Sequence, residues 1–244
     1  MLPKVLFLRK YEKCDKMSLK KCFGYYLVKP LPCPCFFTHK ADKILSVSDN
    51  GLSDKFPDLS KCFWKNSSEK DKITYAKYLG LNSNEFPAFC ENVSDLFSSG
   101  RLTASVRFCS SADAVMLSRY IKNHRDYKLV GLFTDIENFS RFENEGYFSA
   151  VGAGDDNITG KLIGCDIIGC DYENDGHSFF DSYTINALNE VLEKKVDLQI
   201  DRNTGLIRNG YDEAKRFAAI IQGQGEPVIW TPFEIYEMDI PENQ

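Results

Sequence analysis

The sequence reads as an α+β protein with a mixed or antiparallel sheet and packed helices, on three observations. Short apolar runs of strand length recur, among them Tyr25-Tyr26-Leu27-Val28 and Leu129-Val130-Gly131-Leu132-Phe133. Longer segments carry apolar residues at helical spacing, clearest in Phe86, Phe89, Cys90, Val93, Leu96 and Phe97. The two kinds of segment alternate irregularly, and no fixed-period repeat appears.

Val5-Leu6-Phe7-Leu8 and residues 25–28 are the first strand candidates. Pro30, Pro32 and Pro34 then interrupt regular structure, because proline lacks an N–H donor and restrains its neighbour. Ile44-Leu45-Ser46-Val47 is a further short strand, closed by the turn signal Asp49-Asn50-Gly51. Ser67-Ser68 before Glu69 marks a helix start, with Ile73, Ala76, Tyr78 and Leu79 following at partly helical spacing and Gly80 near the end. The spacing predicts amphipathic helices over 86–97 and over 111–123, the latter capped by Ser110 or Ser111. A buried-type strand over 129–133 and a glycine- and acid-rich loop over 146–160 come next, then a strand over 161–170. Ser178 is read as the N-cap of a helix to about residue 195, with Phe180, Thr184, Ala187, Leu188 and Val191 on one face. Residues 198–200 and 206–207 flank the turn 201–205 as a hairpin or a strand edge. A helix over 211–221 and a strand over 228–238 end the chain, and Pro232 suggests that this last strand is an edge or carries a bulge.

The composition is that of an ordinary globular protein: 244 residues, 43% hydrophobic and 27% charged. No apolar run approaches the roughly 20 residues of a membrane-spanning helix. The N-terminal run Val5–Leu8 stops at Arg9-Lys10 and has no small-residue cleavage site, so it is not read as a secretion signal. The nine cysteines are odd in number and irregularly spaced, which fits reduced, mostly buried thiols in a cytoplasmic protein.

Charge is distributed unevenly. Residues 1–125 hold 21 Lys and Arg against 12 Asp and Glu, a balance of +9, while residues 126–244 hold 9 against 23, a balance of −14. The switch near Arg125 divides the chain into a basic N-terminal half, 1–125, and an acidic α+β C-terminal half, 126–244, as two small domains or two parts of one large domain.

Several constellations invite chemistry. Cys33-Pro34-Cys35 with His39 suggests zinc, completed by Cys14, Cys22 or Cys62. Structural zinc sites, however, use C-x₂₋₄-C knuckles, and C-x-C around a proline is not one, so no metal and no cofactor are expected. The first 43 residues hold 10 bases against 3 acids, which suits phosphates. Their aromatics cluster with aliphatics rather than with bases, which weakens a nucleic-acid reading. His177 beside Ser178, with Cys33, Cys35 or Cys62 as thiolate and Asp171 or Asp175 as orienting acid, sketches a cysteine hydrolase. No local nucleophile pattern accompanies it, and a helix-capping role for His177 is the simpler account. Gly152-Ala153-Gly154 leads into Asp155-Asp156, which repels phosphate, and Asp171-x-Glu173-x-Asp175-Gly176 lacks the glutamate of a calcium loop, since position 182 is Ser182.

The strongest surface feature lies between Asp155 and Asp175, where six acids are read as short loops around a buried strand. Acids on loops held by a rigid sheet suit recognition of a cationic protein. Asp155, Asp156, Asp171, Glu173 and Asp175 are therefore the candidate partner-binding residues. The succession Ile163-Gly164-Cys165-Asp166-Ile167, Asp175-Gly176-His177-Ser178-Phe179, Asp201-Arg202-Asn203-Thr204-Gly205-Leu206-Ile207 and Trp230-Thr231-Pro232-Phe233-Glu234-Ile235 resembles the C-terminal part of immunity proteins from bacterial contact-dependent and polymorphic toxin systems. The resemblance covers about a third of the chain. It implies a cytoplasmic, non-enzymatic inhibitor that binds one cognate toxin domain, with no membrane partner. It transfers no individual functional residue.

Overall fold

Strands and helices appear where side-chain periodicity and the available hydrogen-bond partners agree. The computed structural model describes residues 19–32, 42–45, 68–79, 81, 84–103, 106–120, 124–148, 152–155, 160–172, 178–182, 198–208, 210–222 and 228–240. The expected strand at Val5–Leu8 and the Asp49-Asn50-Gly51 turn lie outside them.

In chain order the elements are strands β1 (Lys20–Val28), β2 (Leu31–Pro32) and β3 (Lys43–Ile44), then helices α1 (Glu69–Leu79), α2 (Glu85–Ser98) and α3 (Ser111–Ser118). A single 3₁₀ turn at His124–Asp126 leads to β4 (Lys128–Asp135) and α4 (Ile136–Asn144). Strands β5 (Lys161–Tyr172) and β6 (Ser178–Ser182), helix α5 (Tyr211–Gln222) and strand β7 (Ile229–Met238) complete the series. Five strands form one sheet in the order β1-β4-β7-β5-β6, every pair antiparallel. The fold is α+β, and its sheet takes strands from both sides of the charge boundary near Arg125: Lys20 pairs with Asp135 and Val28 with Lys128.

Helices cover both faces. A bulge at Phe23 shifts the register of β1, so Cys22, Tyr25 and Leu27 face one side while Phe23, Tyr26 and Val28 face the other. On the first side α1, α2 and α3 contribute Ala76, Phe89, Val93, Leu96, Ala114 and Leu117. Further along this face Ala214, Phe217 and Ile221 of α5 pack on Cys165, Ile167 and Trp230. On the second side Phe142 of α4 stacks on Phe233 and meets Phe23 edge-on, with ring centroids 6.1 and 5.0 Å away. Coverage of both faces explains why β1 and β4 read as unbroken apolar runs rather than as alternating ones. The helix starts follow their sequence signals: the Ser68 hydroxyl accepts from the amide of Asp71, and the Ser110 hydroxyl accepts from that of Ala112.

Three expectations are corrected. Ser178 does not begin a helix: residues 178–182 form β6, with Ser178 opposite Tyr172 and Ser182 opposite Ile168. Pairing with the long strand β5 decides this segment, and a helical spacing of apolar residues cannot register that partner; residues 183–197 are outside the described set. The helix from Ser111 ends at Ser118 rather than near residue 123. Pro232 lies in β7, the central strand of the sheet, not at an edge. The ladder between β4 and β7 ends at Phe133–Glu234, so an N–H at Pro232 would have no ladder partner there. Its carbonyl is taken by the Thr134 hydroxyl at 2.9 Å.

The open side of β1 is closed by the segment 106–109. Tyr25 and Phe108 exchange main-chain hydrogen bonds, both 2.9 Å. This segment turns through Val106 at φ +60°, a left-handed conformation that costs a β-branched residue about 1–3 kcal/mol. The turn sends Arg107 inward across β1, where it is 2% exposed. Its guanidinium donates to the carbonyls of Phe23 at 3.0 Å and Gly152 at 2.8 Å and lies over the rings of Phe23 and Phe148. Gly24 makes room for it, since a Cβ there would stand 2.5 Å from Cγ of Arg107. Gly24→Ala is therefore expected to cost about 1–3 kcal/mol by overpacking. In an Arg107→Ala background the same change should cost measurably less, with a coupling of about 0.5–3 kcal/mol in a denaturant double-mutant cycle. Strict additivity would show that Arg107 is not what demands the glycine.

Candidate functional site

The acids singled out from the sequence divide by what each one holds. Asp155 is exposed but tied inward: its carboxylate and its carbonyl both accept from the Tyr25 hydroxyl, and its amide donates to the Cys109 carbonyl at 3.0 Å. Burial, above all, pushes the Tyr25 phenol well up, so it remains a donor. Asp166, counted among the six acids but lying within the expected strand 161–170, is 2% exposed in β5 and accepts from the amide of Ile167. Asp171 also sits in β5, opposite Phe179 of β6, and not in a loop. Asp156, Glu173 and Asp175 lie outside the described residues, as do His177, Cys33, Cys35, His39 and Cys62. Glu143, Glu145, Asp212 and Asp239, also in the second half, are exposed and form no ion pair among the described residues. They stand at the end of α4, the start of α5 and just past β7.

A second constellation was not legible in the sequence. Where β4 ends, the N-termini of α4 and α5 converge on the Tyr211 hydroxyl. That oxygen accepts from the amide of Asp135 at 3.0 Å and from Nδ2 of Asn138 at 3.3 Å. The Thr134 hydroxyl donates its only proton to Pro232, so the Tyr211 hydroxyl must donate to Thr134 at 3.0 Å. Asp135 caps α4 through the amide of Asn138 and takes Lys215 at 2.7 Å. Burial alone raises the Asp135 carboxyl, but the Lys215 and Asn138 hydrogen bonds outweigh it and hold the group below its ordinary value. Lys20 lies over the Tyr211 ring, its ammonium 2.9 Å from the centroid, with Glu234 at 3.3 Å. The side chains of Lys20 and Glu234 are only 12% and 14% exposed, and burial lowers the lysine against the pull of Glu234. Every charge in this cluster has an opposite charge beside it, which makes it a joint between β1, β4, β7, α4 and α5.

The described cysteines are free thiols. Burial pushes Cys90 up to about 11 and Cys165 up to about 12, and raises Cys109 and Cys170 as well. None of the four is held as a thiolate, the form a nucleophile needs. Among the described residues no group of three or more His, Cys, Asp or Glu side chains could hold a metal ion, and no helix is long and apolar enough to cross a membrane. A groove of about 650 Å³ opens between α1 and α2, lined by Ile73, Ala76, Leu81, Phe86 and Cys90.

Compared with protein families, curated proteins and solved structures, the chain finds no match.

Two measurements check this arrangement. Lys20→Met should cost about 3–5 kcal/mol in chemical denaturation, because it leaves the Glu234 carboxylate buried without its cation, and adding Glu234→Gln should recover much of that loss. A Lys20→Met protein as stable as the parent would show that the pair carries no structural weight. For Cys90 the neutral thiol is the form favoured by the fold, so a rise from 9.0 to about 11 leaves roughly a hundredth of the usual thiolate at pH 8. Peptide mapping after iodoacetamide treatment should show Cys90 reacting about 100-fold more slowly than a free thiol, with the deficit closing as pH rises toward 11.

Proposed function

We propose that this protein is an immunity-type inhibitor, a non-catalytic binder that neutralises a basic toxin domain by covering it. The observation that carries the reading is the acid excess of the second half, whose described elements belong to a sheet packed on both faces. Residues 126–244 have a balance of −14. The exposed acids Glu143, Glu145, Asp212 and Asp239 stand without ion-pair partners among the described residues. Carboxylates held on rigid elements attract a cationic surface from a distance and restrict which partner can dock. The sequence adds Asp171, Glu173 and Asp175 as candidates for the same role. Asp155 contributes less, since Tyr25 already engages its carboxylate. The cytoplasm is the compartment this role requires, and the resemblance of the C-terminal third to immunity proteins points the same way.

The test is kinetic and stoichiometric, and its binding partner is the product of a toxin gene sought beside this chain's own gene. Inhibition should titrate to completion at one chain per toxin domain; complete inactivation by a small fraction of an equivalent would instead indicate an enzyme. Reversing Asp171, Glu173 and Asp175 to Lys, and separately Glu143 and Glu145 to Lys, should slow association by about tenfold or more at low salt. The difference should shrink as the Debye length falls from about 10 Å at 0.1 M to about 3 Å at 1 M salt. Folded variants with unchanged association at every salt concentration would sink the acidic-surface reading.

A further inference from the structure

The groove between α1 and α2 lies in the basic half of the chain, and none of the acids named in the proposed function lines it. Its floor is apolar: Ala76, Leu81 and Phe86 are buried, and Ile73 at its lip is 54% exposed. Its volume of about 650 Å³ falls within the roughly 300–1,000 Å³ of sites that hold ligands. Ile73 interrupts a run of polar residues, Glu69-Lys70-Asp71-Lys72 before it and Thr74 after it, and belongs to no core cluster among the described residues.

The two walls differ in charge. The α1 wall carries Glu69, paired with Lys72 at 2.8 Å, and Lys77. Helix α2 carries Glu85, Glu91 and Asp95 and no lysine or arginine. Glu91 and Asp95 are one turn apart, so both carboxylates border the same groove, where like charges repel. Asp95 also stands in the last turn of α2, beside carbonyls that already give that end a negative field. Both residues are exposed and have no ion-pair partner among the described residues. Two unfavourable carboxylates at the mouth of an apolar groove are placements that a cationic partner relieves.

We propose that this groove docks a basic amphipathic helix of a partner protein. Apolar residues of that helix at i, i+3 or i+4, and i+7 seat on Ile73, Ala76, Leu81 and Phe86, while lysines or arginines one turn apart meet Glu91 and Asp95. The 14 residues of α2 span about 21 Å, which sets an occupant of about four turns. An acidic helix meets the same two carboxylates along α2, with Lys77 as the one lining cation that has no ion-pair partner among the described residues. The proposal does not rest on the inhibitor reading, and either can fail alone, because the acidic-surface variants leave this groove untouched.

The experiment presents the full chain with a displayed library of helical peptides, about 14 residues long, with leucine fixed at the apolar positions and Lys, Glu, Gln or Ala at the others. Enriched peptides should carry lysines one turn apart and bind saturably at one per chain. Ile73→Asp, at a half-exposed position that spares the core, should weaken them by about tenfold or more. Glu91→Lys with Asp95→Lys should turn the selection toward glutamate-bearing peptides, with thermal melts confirming that both variants are folded. The proposal is overturned by a library without saturable binders, by enrichment without charge preference, or by binders indifferent to both variants.

Discussion

Burial of a single guanidinium organises the edge of this fold. Taking an arginine out of water costs several kcal/mol. The site offsets that cost through two hydrogen bonds from a charged donor, about 1.5–3 kcal/mol each, and through two ring contacts. Each part of the offset constrains a different stretch of chain. The Phe23 carbonyl comes from the bulge in β1, the Gly152 carbonyl from the stretch 152–155, and the Phe148 ring from the turn after α4. Gly24 must lack a side chain, and Val106 must turn left-handed, for Arg107 to enter at all. The inward turn also leaves Phe108 in place to bond the free side of Tyr25, so one residue both fills the edge and closes it.

Beyond that edge, the sheet solves two problems that a strand buried on both faces creates. Its side chains must be apolar on both sides, as β1 and β4 show, and each main-chain group must find a partner without help from water. At Pro232 the ladder cannot be completed in the usual way, and the Thr134 hydroxyl completes it from the neighbouring strand. That hydroxyl belongs to the Tyr211 cluster, so the repair in β7 is coupled to the start of two helices. On the far side of β5, Cys165 exchanges two main-chain hydrogen bonds with Ile207, which extends the ladder past the end of β6.

Acidic residues in this chain are not one population. Asp135, Asp155, Asp166 and Glu234 hold amides, hydroxyls or lysines in place, and their charge is part of the architecture. Glu143, Glu145, Asp212, Asp239, Glu91 and Asp95 serve no such purpose among the described residues. A count of charges merges the two groups, whereas hydrogen-bond partners separate them. The functional proposals rest on the second group, and the first explains why Asp155 is a poor place to look for an interface.

Local pattern by itself determined the α+β class, helix α2 with its apolar stripe, the caps at Ser68 and Ser110, helix α5, the hairpin around 201–205 and the buried strand 129–133. In each of these the information is contained within a few consecutive residues: a period, a capping hydroxyl or a turn. Tertiary structure alone decided the rest. Residues 178–182 are a strand because β5 lies alongside, and Pro232 is central because Thr134 is within reach. Arg107 is buried although its residue type belongs at the surface. The Tyr211–Asp135–Lys215 and Lys20–Glu234 contacts join residues 76 to 214 positions apart. Periodicity records which face of an element is apolar. It does not record which distant element will meet that face, and hydrogen bonds and ion pairs are assigned only when that meeting happens.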